Sequence, residues 1–196
     1  MNVWLVLPMK SLREGKTRLA PLLDIEQRRA LLEKMFRHTL EQAAHFPGLE
    51  RTLVVSASED TRARAATFGA QVLAEEAGAG LNGAMRQAQQ SLRQWGASHM
   101  MVVHCDLPRL AENDLRRLAH AADSDQIGIA PDRMRLGTNG LSLASALDFG
   151  FSFGPDSFAL HLEQARQLGV QPEVVDSPGL SFDVDQPEDF ARLGDL

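Results

Sequence analysis

The sequence predicts a three-layer α/β fold: a single doubly wound, mostly parallel sheet, covered by helices on both faces and built as one domain over residues 1–196. Three observations predict it. Short apolar runs alternate with helical segments along the chain, the pattern of crossover-connected parallel strands. The runs Val3-Trp4-Leu5-Val6-Leu7 and Met100-Met101-Val102-Val103 are continuously apolar, as strands buried on both faces are. Each also breaks into charged residues at its carboxyl end, the edge where open α/β sheets bind ligands.

The elements follow in order. After the first strand and a basic loop, Asp24 precedes an amphipathic stretch with Leu31, Leu32, Met35, Phe36 and Leu40 at helical spacing. Thr52 to Ser56 reads as a buried strand. Ser58 caps a helix running through Arg62 to Phe68, which Gly69 ends in the C′ manner. Gln71-Val72-Leu73 is a short strand, and Asn82 is placed to cap a helix reaching Trp95 before Gly96. Met100 to Val103 is the interior strand that leads into His104-Cys105-Asp106-Leu107-Pro108. A helix around Asp114 to Ala122 and a strand from Gln126 to Ala130 come next. The last third holds Gly140-Leu141-Ser142-Leu143, a helix from about Asp156 to Leu168, a strand at Glu173-Val174-Val175 and a helix after Pro187. The irregular stretch from Asp132 to Gly154 is expected to contain an antiparallel excursion that walls one side of a pocket.

The bulk numbers exclude several classes of function. The net charge of −6 and the absence of a basic stripe argue against non-specific nucleic-acid binding. Cys105 is the lone cysteine, so no internal disulfide forms and a reducing, cytoplasmic setting is expected. The apolar run from Val3 to Leu7 is too short for a signal peptide or a membrane span, so no membrane role is expected.

The charged groups at the strand ends carry the chemistry. Lys10, Lys16 and Arg18 lie in the loop after the first strand, where fixed cations and backbone N–H groups suit a polyphosphate. Gly15-Lys16-Thr17 mimics the end of G-x-x-x-x-G-K-[ST], but Lys10 replaces the first glycine, so the phosphate-wrapping loop of that motif is rejected. Asp106 follows the Met100–Val103 strand, and Asp183 and Asp185 form a D-x-D pair whose carboxylates share one side if the backbone is extended. Three such aspartates at one sheet edge are enough for one or two Mg²⁺ ions, which need one or two carboxylates plus phosphate oxygens and water. Taken singly, each aspartate is better explained as a turn or a helix start; it is their coincidence with the basic loop that favours a site. Gly137-Thr138-Asn139-Gly140 and Phe153-Gly154-Pro155-Asp156-Ser157-Phe158 form a second cluster, in which small residues let backbone approach a ligand and Ser157 opens a helix; on its own this cluster is better explained as a Ser or Asp N-cap beside two glycine turns. His104 and Cys105 are expected to pack or line the pocket, since no second Cys/His cluster stands at ligand spacing.

Together these motifs resemble the guanylyltransferase family of coenzyme F420 biosynthesis, a branch of the nucleotidyltransferases with a glycosyltransferase-A-like sheet. The resemblance covers essentially the whole chain. It is carried by Leu7-Pro8-Met9-Lys10, Lys16-Thr17-Arg18-Leu19-Ala20, Gly80-Leu81-Asn82, Asp106-Leu107-Pro108, Pro131-Asp132 and Gly137-Thr138-Asn139. Phe153 to Phe158 and Ser177-Pro178-Gly179-Leu180 through Asp183-Val184-Asp185-Gln186-Pro187-Glu188-Asp189 complete it. It implies transfer of GMP from GTP to a phosphorylated three-carbon acid (2-phospho-L-lactate, phosphoenolpyruvate or 3-phosphoglycerate) with release of pyrophosphate. It further implies Mg²⁺ on Asp106, Asp183 and Asp185, the acid on Thr138, Gly154 and Ser157, the GTP phosphates on Lys10, Lys16 and Arg18, and the nucleoside near Gly80, Leu81 and Asn82. Lys16, Arg18 and the three aspartates are the expected catalytic set. The chain departs from the family in having His104-Cys105 before D-L-P, where small or apolar residues are usual. A homodimer would be unsurprising for an enzyme of this size. The alternatives are a molybdenum-cofactor or sugar-phosphate nucleotidyltransferase, a non-catalytic nucleotide sensor on the same fold, and a transferase using the Cys105 thiol.

Overall fold

The structure is a computed structural model that describes residues 2–13, 15–123 and 126–193. Its centre is a seven-stranded sheet of order β3-β2-β1-β4-β6-β5-β7. The strands are β1 (Val3–Pro8), β2 (Thr52–Ser56), β3 (Gln71–Ala74), β4 (His99–Val103), β5 (Gln126–Pro131), β6 (Thr138–Ala144) and β7 (Gln171–Val174). All neighbouring pairs are parallel except β6, which runs antiparallel to both β4 and β5. The expected antiparallel excursion is thus β6. The last strand starts at Gln171, two residues before the expected Glu173, and ends at Val174, while Val175 still donates to Ile129 O at 2.9 Å.

The helices are α1 (Ile25–His45), α2 (Glu59–Phe68), α3 (Gly80–Gln94), α4 (Glu112–His120), α5 (Ser157–Gln167), α6 (Pro178–Ser181) and α7 (Pro187–Ala191). Side chains alternate across a strand, and here they sort into two cores. Leu5, Leu7, Val54, Met101 and Val103 pack under α1 and α4 with Met35, Phe36, Leu40, Leu115 and Leu118. Val6, Leu53, Val55, Met100, Val102, Leu141 and Leu143 pack under α3 and α5 with Met85, Ala88, Leu92 and Phe158. The continuous apolar runs are needed because both faces are covered.

Capping is legible locally. The Asp24 carboxylate accepts the Gln27 N–H at 2.8 Å while the Gln27 side chain accepts the Asp24 N–H, a reciprocal box. Ser58 Oγ accepts the Thr61 N–H at 3.3 Å. Asn82 is different: α3 begins at Gly80, and Asn82 lies inside its first turn rather than capping it. No helix among the described residues is long and apolar enough to cross a membrane.

Strand order decides where a ligand can bind. From β1 the chain steps to β2 and β3 on one side, then returns to place β4 on the other. The carboxyl ends of β1 and β4 therefore flank a switch point, where the loops diverge and leave a crevice.

Candidate active site

A cleft of about 1240 Å³ opens over that switch point. Lys10, Lys16, Arg18, Gly80, Leu81, His104, Asp106, Phe153, Gly154 and Asp185 line it. The basic loop, the D-L-P turn and the D-x-D segment, far apart in sequence, meet here.

Lys16 is the keystone. Its Nζ lies 2.6 Å from Asp106 Oδ2 and 2.6 Å from Asp185 Oδ1, with only 8% of its side chain exposed. Burial works against the ammonium, but the charges of Asp106 and Asp185 and the two hydrogen bonds outweigh it and raise the Lys16 pKa. Its backbone sits in the left-handed region, φ 53° and ψ 40°, which costs a non-glycine residue on the order of 1 kcal/mol. The ion pairs hold that strained turn. Lys10 and Arg18 are exposed on the rim, and the Arg18 guanidinium is 3.9 Å from Asp185 Oδ2. The basic loop thus splits its cations: Lys10 and Arg18 are exposed on the rim, and Lys16 turns inward to the carboxylates on the cleft floor.

Asp106 and the D-x-D segment are tied by backbone. The Val184 N–H donates to Asp106 O at 3.2 Å, and Asp189 Oδ2 accepts the N–H groups of Asp185 and Gln186 at 3.2 and 2.8 Å. Arg133 holds Asp189 at 2.7 Å. On β6 the register slips: Ala130 pairs with Gly140 but Pro131 with Thr138, leaving Asn139 as the extra residue. Bulges re-aim side chains, and this one turns Asn139 Nδ2 to Leu180 O at 3.0 Å and Asp183 Oδ1 at 3.4 Å. Burial, then the neighbouring charges of Asp106 and Asp185, push the Asp183 pKa up to about 6. For Asp106, burial acts the same way but is outweighed by the charge and hydrogen bond of Lys16, and its pKa falls below the usual range.

All three aspartates therefore reach one edge, but not as a ready-made cage. Among the described residues no group of three Asp, Glu, His or Cys side chains stands arranged to hold a metal ion, because the Lys16 ammonium occupies the space between Asp106 and Asp185. What remains fits a cation nonetheless. Asp106 Oδ1 is buried without a hydrogen-bond partner among the described residues, and Asp183 is held in the repulsion of its neighbours. Both features ask for positive charge.

His104 lines the cleft beside Asp106; burial keeps its ring neutral, and its Nε2 is buried without a partner. Cys105 points the other way into the core under α1 and α4, and burial pushes its thiol pKa up. A thiol kept protonated is a poor nucleophile, which removes the physical basis of the thiol-dependent reading.

Of the second cluster, Phe153 and Gly154 line the cleft, whereas Thr138 and Ser157 are buried and are not among its lining residues. Asp132 accepts the N–H groups of Leu136 and Gly137, each at 2.9 Å, and a Cβ at Gly137 would stand 2.9 Å from Asp132 Oδ2. This turn leads into Thr138, the first residue of β6. Gly154 (φ 134°) requires glycine. Ser157 is buried at the start of α5, with its N–H already donated to Gly154 O at 3.2 Å. Asn82, expected near the nucleoside, instead clamps the wall: it accepts the Phe153 N–H at 2.7 Å and donates to Phe153 O at 3.1 Å. Gly80 and Leu81 do line the cleft.

His161 was not singled out by the sequence reading, yet it bridges Thr138 and the wall. The available signal was its place four residues after Ser157 on a helix, which puts both on one face.

Comparison with known proteins adds to this geometry. Residues 3–194 match the family model described as guanylyl transferase CofC like. The chain is 38% identical over 194 residues to a phosphoenolpyruvate guanylyltransferase of Rubrobacter xylanophilus, covering 98% of this chain and 94% of that one. It is 32% identical over 193 residues to a 2-phospho-L-lactate guanylyltransferase of Methanothermobacter thermautotrophicus, covering 98% and 84%. Among solved structures, a protein of Desulfovibrio desulfuricans G20 proposed to be a nucleotide-diphospho-sugar transferase superposes with TM-score 0.81 over 98% of this chain and 86% of that one. At 15% identity that likeness is one of fold alone.

Proposed function

The chain belongs to the CofC-like guanylyl transferase family, and from that premise we propose that it moves GMP from GTP to a phosphorylated three-carbon acid, releasing pyrophosphate, in coenzyme F420 biosynthesis. Phosphoenolpyruvate is the acceptor the relatives favour; 2-phospho-L-lactate is the second choice. The single observation that carries the reading is the meeting, at the switch point, of an exposed cationic rim with a half-buried acidic floor whose Asp106 Oδ1 has no hydrogen-bond partner among the described residues.

The acceptor phosphate is already anionic at neutral pH, so its oxygen attacks the α-phosphorus of GTP without a strong base. A bond forms between that oxygen and the α-phosphorus, the bond to the β-phosphate bridging oxygen breaks, and pyrophosphate leaves with the electron pair. The protein has to bring two anions together and stabilise the charge that departs. Lys10 and Arg18 on the rim are placed to receive the β- and γ-phosphates. Lys16, in the same loop, balances the acidic floor through Asp106 and Asp185. Thr138, Gly154 and Ser157 are assigned to the acid, Gly80 and Leu81 to the nucleoside. Asp106 and Asp183, with Asp185 beside them, would hold Mg²⁺, which when bound supplies counter-charge shared by the acceptor and the α-phosphate.

The test is pyrophosphate release with GTP and Mg²⁺, giving phosphoenolpyruvate, 2-phospho-L-lactate and 3-phosphoglycerate in separate reactions, with ATP and CTP as controls. Release that needs GTP and one acid is the expected result. Silence with all three acids from protein that binds GTP would overturn the transferase reading in favour of a nucleotide sensor.

A further inference from the structure

Thr138 on β6 and Ser152, next to the wall residues Phe153 and Gly154, are joined by one buried side chain. His161 on α5 is 0% exposed. Its Nε2 accepts the Ser152 N–H at 3.0 Å, and its Nδ1 lies 3.0 Å from Thr138 Oγ1. A backbone amide only donates, so Nε2 must carry a lone pair. In a neutral imidazole the proton is then on Nδ1. Burial, with His104 nearby, keeps the ring neutral, its pKa lowered to about 4. Nδ1–H therefore donates to Thr138 Oγ1. The hydroxyl has a single hydrogen, and this contact leaves it free to be donated elsewhere. The rings of Phe149 and Phe153, with centroids 5.6 and 4.9 Å from the imidazole, fix its plane.

Resting on the assignment of Thr138 and Gly154 to the acid, we infer that His161 is the positioning residue of the acceptor site. It fills one lone pair of the Thr138 hydroxyl and leaves the hydrogen for an anionic oxygen of the acceptor, and it holds the Ser152–Gly154 wall in register with that hydroxyl. The pair thereby favours a ligand group that accepts, a carboxylate or phosphate oxygen.

The chemistry of the substitutions separates these roles. In His161→Gln the amide oxygen takes the place of Nε2 and still accepts from Ser152, but nothing donates to Thr138. In His161→Asn the amide nitrogen takes the place of Nδ1 and keeps that donor. Steady-state kinetics with GTP, Mg²⁺ and phosphoenolpyruvate are expected to show His161→Gln raising KM for the acid about tenfold with KM for GTP within about twofold, the scale of one lost hydrogen bond to a charged group. His161→Asn should recover most of that loss. Thr138→Val should raise the acid KM comparably, and adding His161→Gln to it should cost nothing further. Additive losses, or equal changes in both KM values, would overturn the inference while leaving the acid site intact. Thr138→Val without effect on the acid KM would instead overturn the assignment of that site. A readout on the unmodified protein covers variants that fail to fold. Long-range ¹H–¹⁵N correlation of the His161 ring should report the Nδ1–H tautomer, and an Nε2–H tautomer would overturn the inference directly.

Discussion

Lys16 Nζ lies 2.6 Å from Asp106 Oδ2, and the same ammonium reaches Asp185 Oδ1 at the same distance. A cation from the first loop thus neutralises carboxylates contributed some 90 and 169 positions later in the chain. Removing it while leaving the carboxylates should be destabilising, because Asp106 and Asp185, both half-buried, lose their counter-charge. Lys16→Met is expected to melt lower than the parent without metal and to recover more than the parent does when Mg²⁺ or Mn²⁺ is added without nucleotide. Its turnover should fall by ~10²-fold or more. Equal metal-induced shifts in parent and variant, read by thermal melts, would show that Lys16 does not stand in the cation's place.

Asp183 makes a different demand. Burial and the charges of Asp106 and Asp185 raise its pKa to about 6, so between that value and the unfolded value near 4 the folded state binds the extra proton. Its contribution to stability is then fully present below the unfolded pKa and is lost as pH rises through about 6. Asp183→Asn mimics the protonated form. At pH ~8 without metal it should be more stable than the parent, and its melting point should be flatter across this window. Its turnover should nevertheless drop by at least ~10²-fold, as should that of Asp106→Asn. Stability gained while activity is lost marks a carboxylate kept for function.

The sign reverses for His161. Its pKa is lowered to about 4 by burial, so below the unfolded value near 6.5 the unfolded chain binds the extra proton and stability falls with pH until the folded ring itself titrates. The full span is on the order of 3 kcal/mol. Urea denaturation at several pH values should show this loss in the parent and not in His161→Asn. Parallel curves would mean the ring is not buried in neutral form.

The sequence made the sheet legible because both of its faces are covered: Val3 to Leu7 and Met100 to Val103 had to be apolar throughout, and the alternation with amphipathic helices left one architecture. The charged members of the site were legible for a related reason, since Lys16, Asp106 and Asp185 all fall where an apolar strand or extended segment ends. What was not legible depends on three-dimensional pairing. That Lys16 turns to the carboxylates follows from a left-handed backbone at a non-glycine residue, which no local pattern announces. Asn139 is aimed by a one-residue slip between β5 and β6, a property of two strands at once. His161 is an ordinary helix position until Thr138 and Ser152 are brought against it.

Asn82 offers the sharpest separation between what family resemblance assigns and what the geometry does. Resemblance puts it near the nucleoside, but both ends of its amide are occupied by Phe153, at 2.7 and 3.1 Å. Phe153 adjoins Gly154, lines the cleft and packs on His161, so Asn82 links the start of α3 to the wall on the acceptor side. Asn82→Ala would leave the Phe153 N–H and C=O to find water or remain unpaired, a loss of about 1–3 kcal/mol concentrated in the wall. The acid KM should therefore rise at least as much as the GTP KM in initial-rate measurements with each substrate varied in turn. Asn82→Asp keeps the acceptor for the Phe153 N–H but sets a carboxylate oxygen against the Phe153 carbonyl, so it should be no better than alanine. A defect confined to the GTP KM would return Asn82 to the nucleoside and make its bonds to Phe153 incidental.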